Sequence, residues 1–258
     1  MLVSVIMPTY NCGKFIEESI LTVINQTITD WEICIADDCS TDNTYEVLKP
    51  YLEKYSNIHY HCLTSNSGPA KARNTALEMA TGKYVAFLDS DDLWTPDKLE
   101  RQIELMEKEN AIFSCTAYRQ INEDGSYREI VKFPPPKTDY NLMLRYSDPI
   151  GNSTVMYNRE ILGDIRVPDI KKRNDFALWL KVLRVAPFCI GTDEILGFYR
   201  IRQSSVSRNK LKLAKYHWQL YRHIEELSIF KSIWAMGCWA SKIISRRGVK
   251  NIPADSSK

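Results

Sequence analysis

Two apolar runs in this chain end in carboxylates. Ile33-Cys34-Ile35-Ala36 runs into Asp37-Asp38-Cys39-Ser40-Thr41-Asp42, and Tyr84-Val85-Ala86-Phe87-Leu88 runs into Asp89-Ser90-Asp91-Asp92. A short apolar or β-branched run reads as a buried parallel strand. Open α/β sheets bind ligands in the crevice at the carboxyl ends of such strands. Two acidic clusters gathered there repel each other unless something cationic or proton-donating lies between them. A divalent cation and a nucleotide base each meet that need. The competing reading of Asp89-Ser90-Asp91-Asp92 is an acidic N-terminus for the helix expected near Pro96, a place that suits carboxylates.

Alternating elements must hold these clusters in place. Strands are expected over residues 2–7, 31–36, 58–62 and 84–88, and helices over 14–26, 43–55 and 69–80. Ile16, Ile20, Val23 and Ile24 fall on one face of the first helix. Thr95-Pro96 reads as N-cap and first position of a further helix carrying Leu99, Ile103 and Met106. Such alternation implies a mostly parallel α/β sheet, flanked by helices and connected by right-handed crossovers. After about residue 110 the pattern changes. Residues 112–121 and 127–133 flank Asn122-Glu123-Asp124-Gly125-Ser126, a hairpin signal. Pro134-Pro135-Pro136 is a rigid break. A short helix is expected over 138–146, a strand over 154–157, a helix over 175–185 and a last strand over 195–201. Residues 209–247 read as two consecutive helices.

The chain has 258 residues, enough for one α/β domain with a small appendage. A net charge of +2 gives no general case for nucleic-acid binding, although the last third is locally basic. Met1-Leu2-Val3-Ser4 enters a strand pattern directly, so no signal peptide is expected. No run reaches the about 18 uncharged apolar residues of a spanning helix. The seven cysteines are odd in number and form no CxxC pair, which fits buried, reduced thiols in a cytosolic protein. His59 and His61 share a strand face, but no third ligand is near, and a structural role is expected.

Four motifs follow one another: Val3-Ser4-Val5-Ile6-Met7-Pro8-Thr9-Tyr10-Asn11, Asp37-Asp38-Cys39-Ser40-Thr41-Asp42, Ala72-Arg73-Asn74, and Phe87-Leu88-Asp89-Ser90-Asp91-Asp92. In this order and spacing the chain resembles the family 2 inverting glycosyltransferases, over residues 2 to about 207. Phe176-Ala177-Leu178-Trp179-Leu180-Lys181 and Tyr199-Arg200-Ile201-Arg202 make it most similar to the small bacterial enzymes that build teichuronic acid, O-antigen and capsule. The resemblance implies a glycosyltransferase A fold and three parts. Residues 1–110 would bind the nucleotide-sugar. Residues 111–207 would bind the acceptor and carry the catalytic base. Residues 208–258 would form a C-terminal helical segment.

It also implies roles. Expelling a nucleoside diphosphate favours a hard cation held by carboxylates, so Mg2+ or Mn2+ is expected on Asp91, with Asp89 at the ribose or metal shell and Ser90 between them. Asp38 would accept the N3 proton of uracil while Asp37 braces the turn. Pro8, Thr9 and Tyr10 would form the loop after the first strand, Tyr10 stacking on the base. Arg73 would face the nucleotide; a solvated helical charge is the plainer reading. Trp94 would pack beside the sugar or serve the core, and Ser153 would line the acceptor side. Arg200, Arg202 and Ser204-Ser205-Val206-Ser207 resemble a loop that closes over the diphosphate. The family's acidic pair before a Trp-bearing helix stands here as Asn174-Asp175, so Asp175 is the implied base, with a helix N-cap as its other reading. The expected partners are a UDP-sugar donor and a glycan acceptor, lipid-linked, with no nucleic acid. The Gln-x-x-Arg-Trp motif of processive synthases is absent, which implies addition of single sugars. Residues 227–247 carry Trp234, Trp239, Lys242, Arg246 and Arg247, the pattern of either an interfacial helix on the inner membrane's cytoplasmic face or a packed terminal helix.

Three other classes fit the sequence less well. A sugar-phosphate nucleotidyltransferase would carry a Gly-rich phosphate loop after the first strand, where this chain has Pro-Thr-Tyr-Asn. A non-catalytic sugar-binding module on the same fold would lack the metal Asp or the base. A nicotinamide-dependent dehydrogenase would need GxGxxG after the first strand, which is missing.

Overall fold

The computed structural model describes residues 1–146, 149–202, 210–245 and 249–251. The first half alternates as read from the sequence: β1 Val3–Thr9, α1 Ile16–Ile24, β2 Trp31–Asp37, α2 Thr44–Lys54, β3 Ile58–Cys62, α3 Pro69–Met79, β4 Tyr84–Phe87, a two-residue β5 Leu93–Trp94 and α4 Lys98–Lys108. The second half holds β6 Phe113–Ile121, β7 Tyr127–Lys132, β8 Lys137–Thr138, α5 Tyr140–Tyr146, β9 Met156–Asn158, the short α6 Arg159–Leu162, α7 Asn174–Val182 and β10 Cys189–Arg200. α8 Lys210–Gln219, a π turn, α9 Ile229–Ser245 and β11 Val249–Asn251 complete it.

Among the described residues the strands form one sheet. β3, β2, β1 and β4 are parallel neighbours in that order. β9 then runs antiparallel between β4 and β6 and so joins the two halves. β7 and β11 extend the sheet beyond β6. β10 runs parallel to β6 and reaches across to β5 and β8.

Successive strand residues face opposite sides, and both sides are covered. Val3, Val5 and Met7 of β1 pack with Ile16, Ile20 and Leu99 from α1 and α4. Ile6 packs with Ala72 and Ala76 of α3 and with the α7 layer. Pro8 lies past the last β1–β4 pair, Ile6 with Phe87, so its missing N–H leaves no β4 carbonyl unpaired.

Several elements differ from their sequence outline. Pro8 and Thr9 belong to β1, paired with Ala36 and Asp37, and the loop begins at Tyr10. α4 starts at Lys98 rather than at Pro96. Its first turn is capped from afar, because the Gln26 side chain accepts from Leu99 N at 2.9 Å. Residues 93 and 94 are instead held by β10. Residues 152–154 form a 3₁₀ turn before β9. The last strand is longer than its apolar core suggested, twelve residues from Cys189. Residues 204–207 lie outside the described residues. All seven cysteines are free, but Cys62 is exposed and Cys39 and Cys238 are only half-buried. His59 pairs with buried Glu32 at 3.2 Å, a structural use.

Candidate active site

The ends of β1 and β2 are laced together through short polar side chains. Asp37 accepts from the Ser40 amide (2.8 Å), the Ser40 hydroxyl (2.7 Å) and the Tyr60 hydroxyl (2.9 Å), so it braces the turn. Asn11, at φ 48°, accepts from Thr41 N at 2.8 Å and receives the Ser40 oxygen on its own N–H at 2.9 Å. Asn tolerates this left-handed backbone better than most residues. Gly13 N donates to Asp42 at 3.0 Å, and a Cβ at Gly13 would lie 2.1 Å from Asn43 Oδ1. The lacing leaves Tyr10 projecting from the rim, 46% exposed. Asp38 is buried, and its two oxygens accept from Ser67 N (2.6 Å) and Gly68 N (2.8 Å). It therefore ties the start of α3 to the end of β2 and keeps lone pairs for a further donor. Thr9 Oγ1 is buried without a hydrogen-bond partner.

The end of β4 is built differently. Asp89 accepts from Arg73 and from Asn152 Nδ2, each at 2.9 Å. Ser153 is the keystone of the loop: its hydroxyl accepts from Asp89 N at 3.1 Å and donates to Asp92 at 2.5 Å, and its carbonyl accepts from Trp94 Nε1 at 2.6 Å. Asp92 is buried and also accepts from Arg200 N at 2.9 Å. Burial, then the charges of Asp91 and Asp89, push the Asp92 carboxyl well above its ordinary range. Burial and the Asp89 charge likewise push Asp91 up, against the pull of Arg202 at 3.2 Å. The loop thus crowds three carboxylates, with Arg73 on Asp89 and Arg202 on Asp91 as cationic partners.

α7 brings the third carboxylate. Arg173 precedes the helix in the left-handed conformation, φ 65° and ψ 25°. Asn174 accepts a hydrogen bond from Arg73, the same side chain that holds Asp89. Asp175 lies in the first turn and not at the cap, so the N-cap reading fails. One turn on, Trp179 is fully buried against Phe87 (5.0 Å, edge-on) and Phe113 (5.6 Å). Phe87 is the last residue of β4, two before Asp89. Trp179 below and the Asp89–Arg73–Asn174 link above fix α7 against the acidic loop. A cleft of about 910 Å³ opens between them, lined by Asp89, Asp92, Asn152, Ser153, Asp175, Tyr199 and Arg202.

The structure therefore brings Asp89, Ser153, Asp175 and Arg202 to one cleft, and Tyr10, Asp37 and Asp38 to the adjoining strand ends. Arg73 is not a solvated helical charge; it is buried and joins the two halves. Ser90 is buried beside Cys12. Arg200 and Trp94 take supporting places. The Arg200 side chain is wholly buried and donates to Glu18 (2.5 Å), Asp91 O and Glu123 O (both 2.9 Å). Trp94 is in the core. Asn152 and Tyr199 were not singled out from the sequence. Both stand beside residues that were, and only the fold sets Asn152 on Asp89 and Tyr199 in the lining of the cleft.

Among the described residues no group of three or more His, Cys, Asp and Glu side chains is placed to hold a metal ion. Asp89 and Asp91 nevertheless offer a hard-oxygen pair whose crowded charge a divalent cation would offset. A protein supplying one or two carboxylates, with substrate phosphates and water completing the shell, is the usual mode for Mg2+. The residues present fit such an ion.

The model of glycosyl transferase family 2 matches residues 4–166. The chain belongs to that family. It is 42% identical over 95% of its length to the putative teichuronic acid biosynthesis glycosyltransferase TuaG of Bacillus subtilis, covering 97% of that protein. It is 40% identical over 85% of its length to an Escherichia coli protein described as UDP-Glc:alpha-D-GlcNAc-diphosphoundecaprenol beta-1,3-glucosyltransferase, covering 85% of it. Its fold superposes on the S. aureus TarS 1–349 structure in complex with UDP-GlcNAc, with a TM-score of 0.74, 25% identity, and coverage of 95% of this chain and 73% of that one. The glycosyltransferase A fold expected from the sequence is therefore the fold observed. The chain is therefore a family 2 glycosyltransferase, and nothing favours the nucleotidyltransferase reading.

Proposed function

We propose that the protein moves one hexose from a UDP-sugar to a lipid-linked glycan with inversion at the anomeric carbon, using Asp175 as base. The observation that carries this reading is the shared cleft: Asp175 and Asp89 line it from opposite halves of the fold, held together through Arg73 and Asn174. Tyr10 stacks on the uracil, beside Pro8 and Thr9 at the end of β1, and Asp38 accepts from uracil N3–H. Loss of the preference for UDP over CDP in Asp38→Ala would support that contact, and an unchanged preference would oppose it. Asp89 and Asp91 face the ribose and diphosphate, with Ser90 buried between them. Mg2+ or Mn2+ held by Asp91 and Asp89 would supply positive charge to the departing diphosphate. Arg202, beside Asp91, adds a second cation there.

Asp175 takes the proton of the acceptor hydroxyl as that oxygen attacks the anomeric carbon. The bond to the diphosphate oxygen breaks on the opposite face, and its electron pair leaves with UDP. One carboxylate and one displacement give inversion, so an α-linked donor yields a β-glycoside. UDP-glucose, the donor named for the E. coli relative, is the first donor to test. General-base assistance is worth roughly 10²–10⁴-fold. Asp175→Asn should lose turnover in that range while keeping near-normal UDP affinity. Full turnover in that variant, or proton NMR of the wild-type product showing retained configuration, would refute the mechanism.

We place the reaction at the cytoplasmic face of the inner membrane, seated through α9. Ser232 and Ala235 of α9 are buried against the body, and Trp239 packs 4.9 Å from His217. Its other face shows Ile229, Phe230, Ile233 and Trp234 to solvent, Phe230 at 86%. Residues 229–251 contain Lys231, Lys242, Arg246, Arg247 and Lys250 and no Asp or Glu. An apolar face on a stretch of such basic composition suits an anionic lipid surface. No helix of the described residues is long and apolar enough to cross a membrane. Phe230→Glu with Trp234→Glu should abolish co-sedimentation with anionic vesicles; a wild type that never sediments with them would rule the seat out.

A further inference from the structure

We infer that Tyr199 is the platform on which the reacting ring of the acceptor, a neutral pyranose, lies with its C–H face. This rests on the transfer reading above and names the acceptor chemistry of the same cleft. Tyr199 lines the cleft together with Asp175, the base. It stands in a strand of the main sheet and is nevertheless 36% exposed.

Strand register puts it there. Gly197 of β10 pairs with Tyr118 of β6, so Tyr199, two residues on, projects from the same face as Tyr118. The two rings lie 5.8 Å apart, inclined at 58°. Tyr118 is the packed member of the pair. A Cβ at Gly151 would lie 2.8 Å from its Cε1, so glycine lets the loop that carries Asn152 and Ser153 close against that ring. Tyr199 is the front member. Its place in the strand is fixed by the next residue: Arg200 N donates to Asp92 at 2.9 Å, and the Arg200 side chain is wholly buried. The ring before it in sequence, Phe198, is taken up by a stack with Tyr127 at 5.4 Å. Tyr199 thus offers the cleft a positioned aromatic surface with only two side-chain torsions to order, which keeps the entropic cost of contact low.

The chemistry around it favours an uncharged polyol. Five carboxylates and four cationic side chains line the cleft, so it holds no excess of positive charge with which to select an anion. A pyranose carries hydroxyls around its rim and C–H groups on its faces. The rim suits the carboxylates, which accept hydrogen bonds. The C–H face suits the negative face of a phenol ring. Partial burial, then the charges of Asp92, Asp89, Asp91 and Asp175, raise the pKa of the Tyr199 phenol, so it keeps its proton and can donate to a sugar oxygen. The acceptor sugar named for the E. coli relative, GlcNAc, is a neutral pyranose. Within Tyr199-Arg200-Ile201-Arg202 the arginines draw attention as diphosphate ligands, and the tyrosine passes for an ordinary strand residue. Only its register against β6 sets it apart.

The test compares transfer with acceptor-free hydrolysis. UDP-glucose is the donor and α-GlcNAc joined through a diphosphate to an alkyl chain is the acceptor. The readout is the ratio of kcat/KM for the acceptor to the rate of slow UDP-glucose hydrolysis. Tyr199→Leu keeps apolar bulk and removes the ring, and should cut that ratio by about 5- to 100-fold, the scale of losing one aromatic stacking partner. Tyr199→Phe keeps the ring and should retain most of the ratio. A ratio near wild type in Tyr199→Leu would overturn the inference. So would a Tyr199→Phe loss as large as that of Tyr199→Leu, which would assign the binding to the hydroxyl. Equal losses of transfer and hydrolysis in Tyr199→Leu would overturn it and make Tyr199 a support for the β4 loop; a rise confined to the UDP-glucose KM would give the platform to the donor sugar. Saturation-transfer NMR of methyl α-GlcNAc with enzyme and UDP needs no turnover. Its ring C–H protons should be saturated by wild type and much less by Tyr199→Leu; no saturation by wild type, or the same in both, would overturn the inference. A wild type that hydrolyses UDP-glucose and does not use the diphosphate acceptor counts against the lipid-linked acceptor reading itself, and the NMR comparison still decides on Tyr199.

Discussion

Two buried carboxylates sit at opposite ends of the same sheet and have opposite fates. Glu32, near the start of β2, is 2% exposed; Asp92, past the end of β4, is 1% exposed. Burial penalises both. Glu32 accepts from the Ser4 hydroxyl (2.6 Å), the Thr81 amide (2.6 Å) and the Thr81 hydroxyl (2.8 Å), with His59 alongside. Against the penalty of burial, these partners hold its pKa below the ordinary glutamate value. Asp92 has two donors and two anionic neighbours, and its carboxyl is pushed the other way. At the amino end of the sheet Glu32 is matched by its hydrogen-bond donors and His59. The carboxyl end crowds three carboxylates against two arginines, which costs stability and is expected where a ligand completes the balance.

The largest effect should come from breaking the amino end. Glu32→Ala removes the acceptor of the buried Ser4 hydroxyl and of the Thr81 amide and hydroxyl. A loss of roughly 2–4 kcal/mol in urea unfolding at pH 7 is expected, the scale of several hydrogen bonds to one charged acceptor. The pH dependence follows the sign of the shift. A lowered pKa contributes stability that is present above the unfolded value and lost as pH falls through the folded one. Glu32→Gln should therefore be less stable than wild type at pH 7 and approach it below about pH 4, near the unfolded glutamate value. A Glu32→Ala protein within about 0.5 kcal/mol of wild type, the range of ordinary surface changes, would mean the two ends do not differ as described.

The same contrast explains what the sequence could tell. The β1 to β4 alternation and both acidic strand ends were legible, because buried parallel strands are written as continuous apolar runs and their ends as turn-forming polar residues. Asp37 could be assigned to its turn from its neighbours alone. The partners of Arg73 could not: the sequence sets it toward the nucleotide or solvent, whereas Asp89 and Asn174, which it binds, lie 16 and 101 residues away. The start of α4 was misplaced for a similar reason, since Gln26 caps it from 73 residues away in sequence. Arg200 carries the residue type of a phosphate ligand, and only its burial shows that it clamps the β4 loop to Glu18 and Glu123. Local chemistry is readable in one dimension; long-range polar pairing is not.

A second, smaller effect sharpens the carboxyl end. Mn2+ with UDP should raise the melting temperature of wild type, by up to about 2.7 kcal/mol of stabilisation at 100 times Kd. Asp91→Ala or EDTA should remove most of that gain. Equal UDP affinity by calorimetry for both proteins, with and without EDTA, would show that the crowded carboxylates do not await a cation. Without ligand, Asp91→Asn should cost little or nothing, because it relieves the repulsion from Asp89 and Asp92 while giving up only the Arg202 pair.

The smallest expected effect asks whether the carboxyl end hides a countercharge. Lys98 is fully buried beneath the Asp92 loop, its Nζ without a hydrogen-bond partner and 3.7 Å from the centre of the Trp94 ring. Trp94 in turn donates to Ser153, which donates to Asp92. Burial alone pushes the Lys98 amine well below its ordinary pKa, so the fold favours the form without the extra proton and weakens Lys98 as an offset to Asp92. The unfolded chain takes up that proton below about pH 10.4. It therefore binds more protons than the folded state between the two pKa values, and this residue makes stability rise with pH across that window. Lys98→Met removes the slope and keeps an apolar stem of similar length. It should be equal to wild type or about 1 kcal/mol more stable at pH 7, the usual range for a near-isosteric core exchange, with the gap closing toward pH 10. Urea midpoints at pH 7 and pH 9.5 measure both quantities. A loss exceeding about 2 kcal/mol at pH 7, the scale of a desolvated cation–π contact, would mean that Lys98 is charged on the Trp94 face. The carboxyl end of the sheet would then be partly balanced from within, and its demand for an external cation correspondingly weaker.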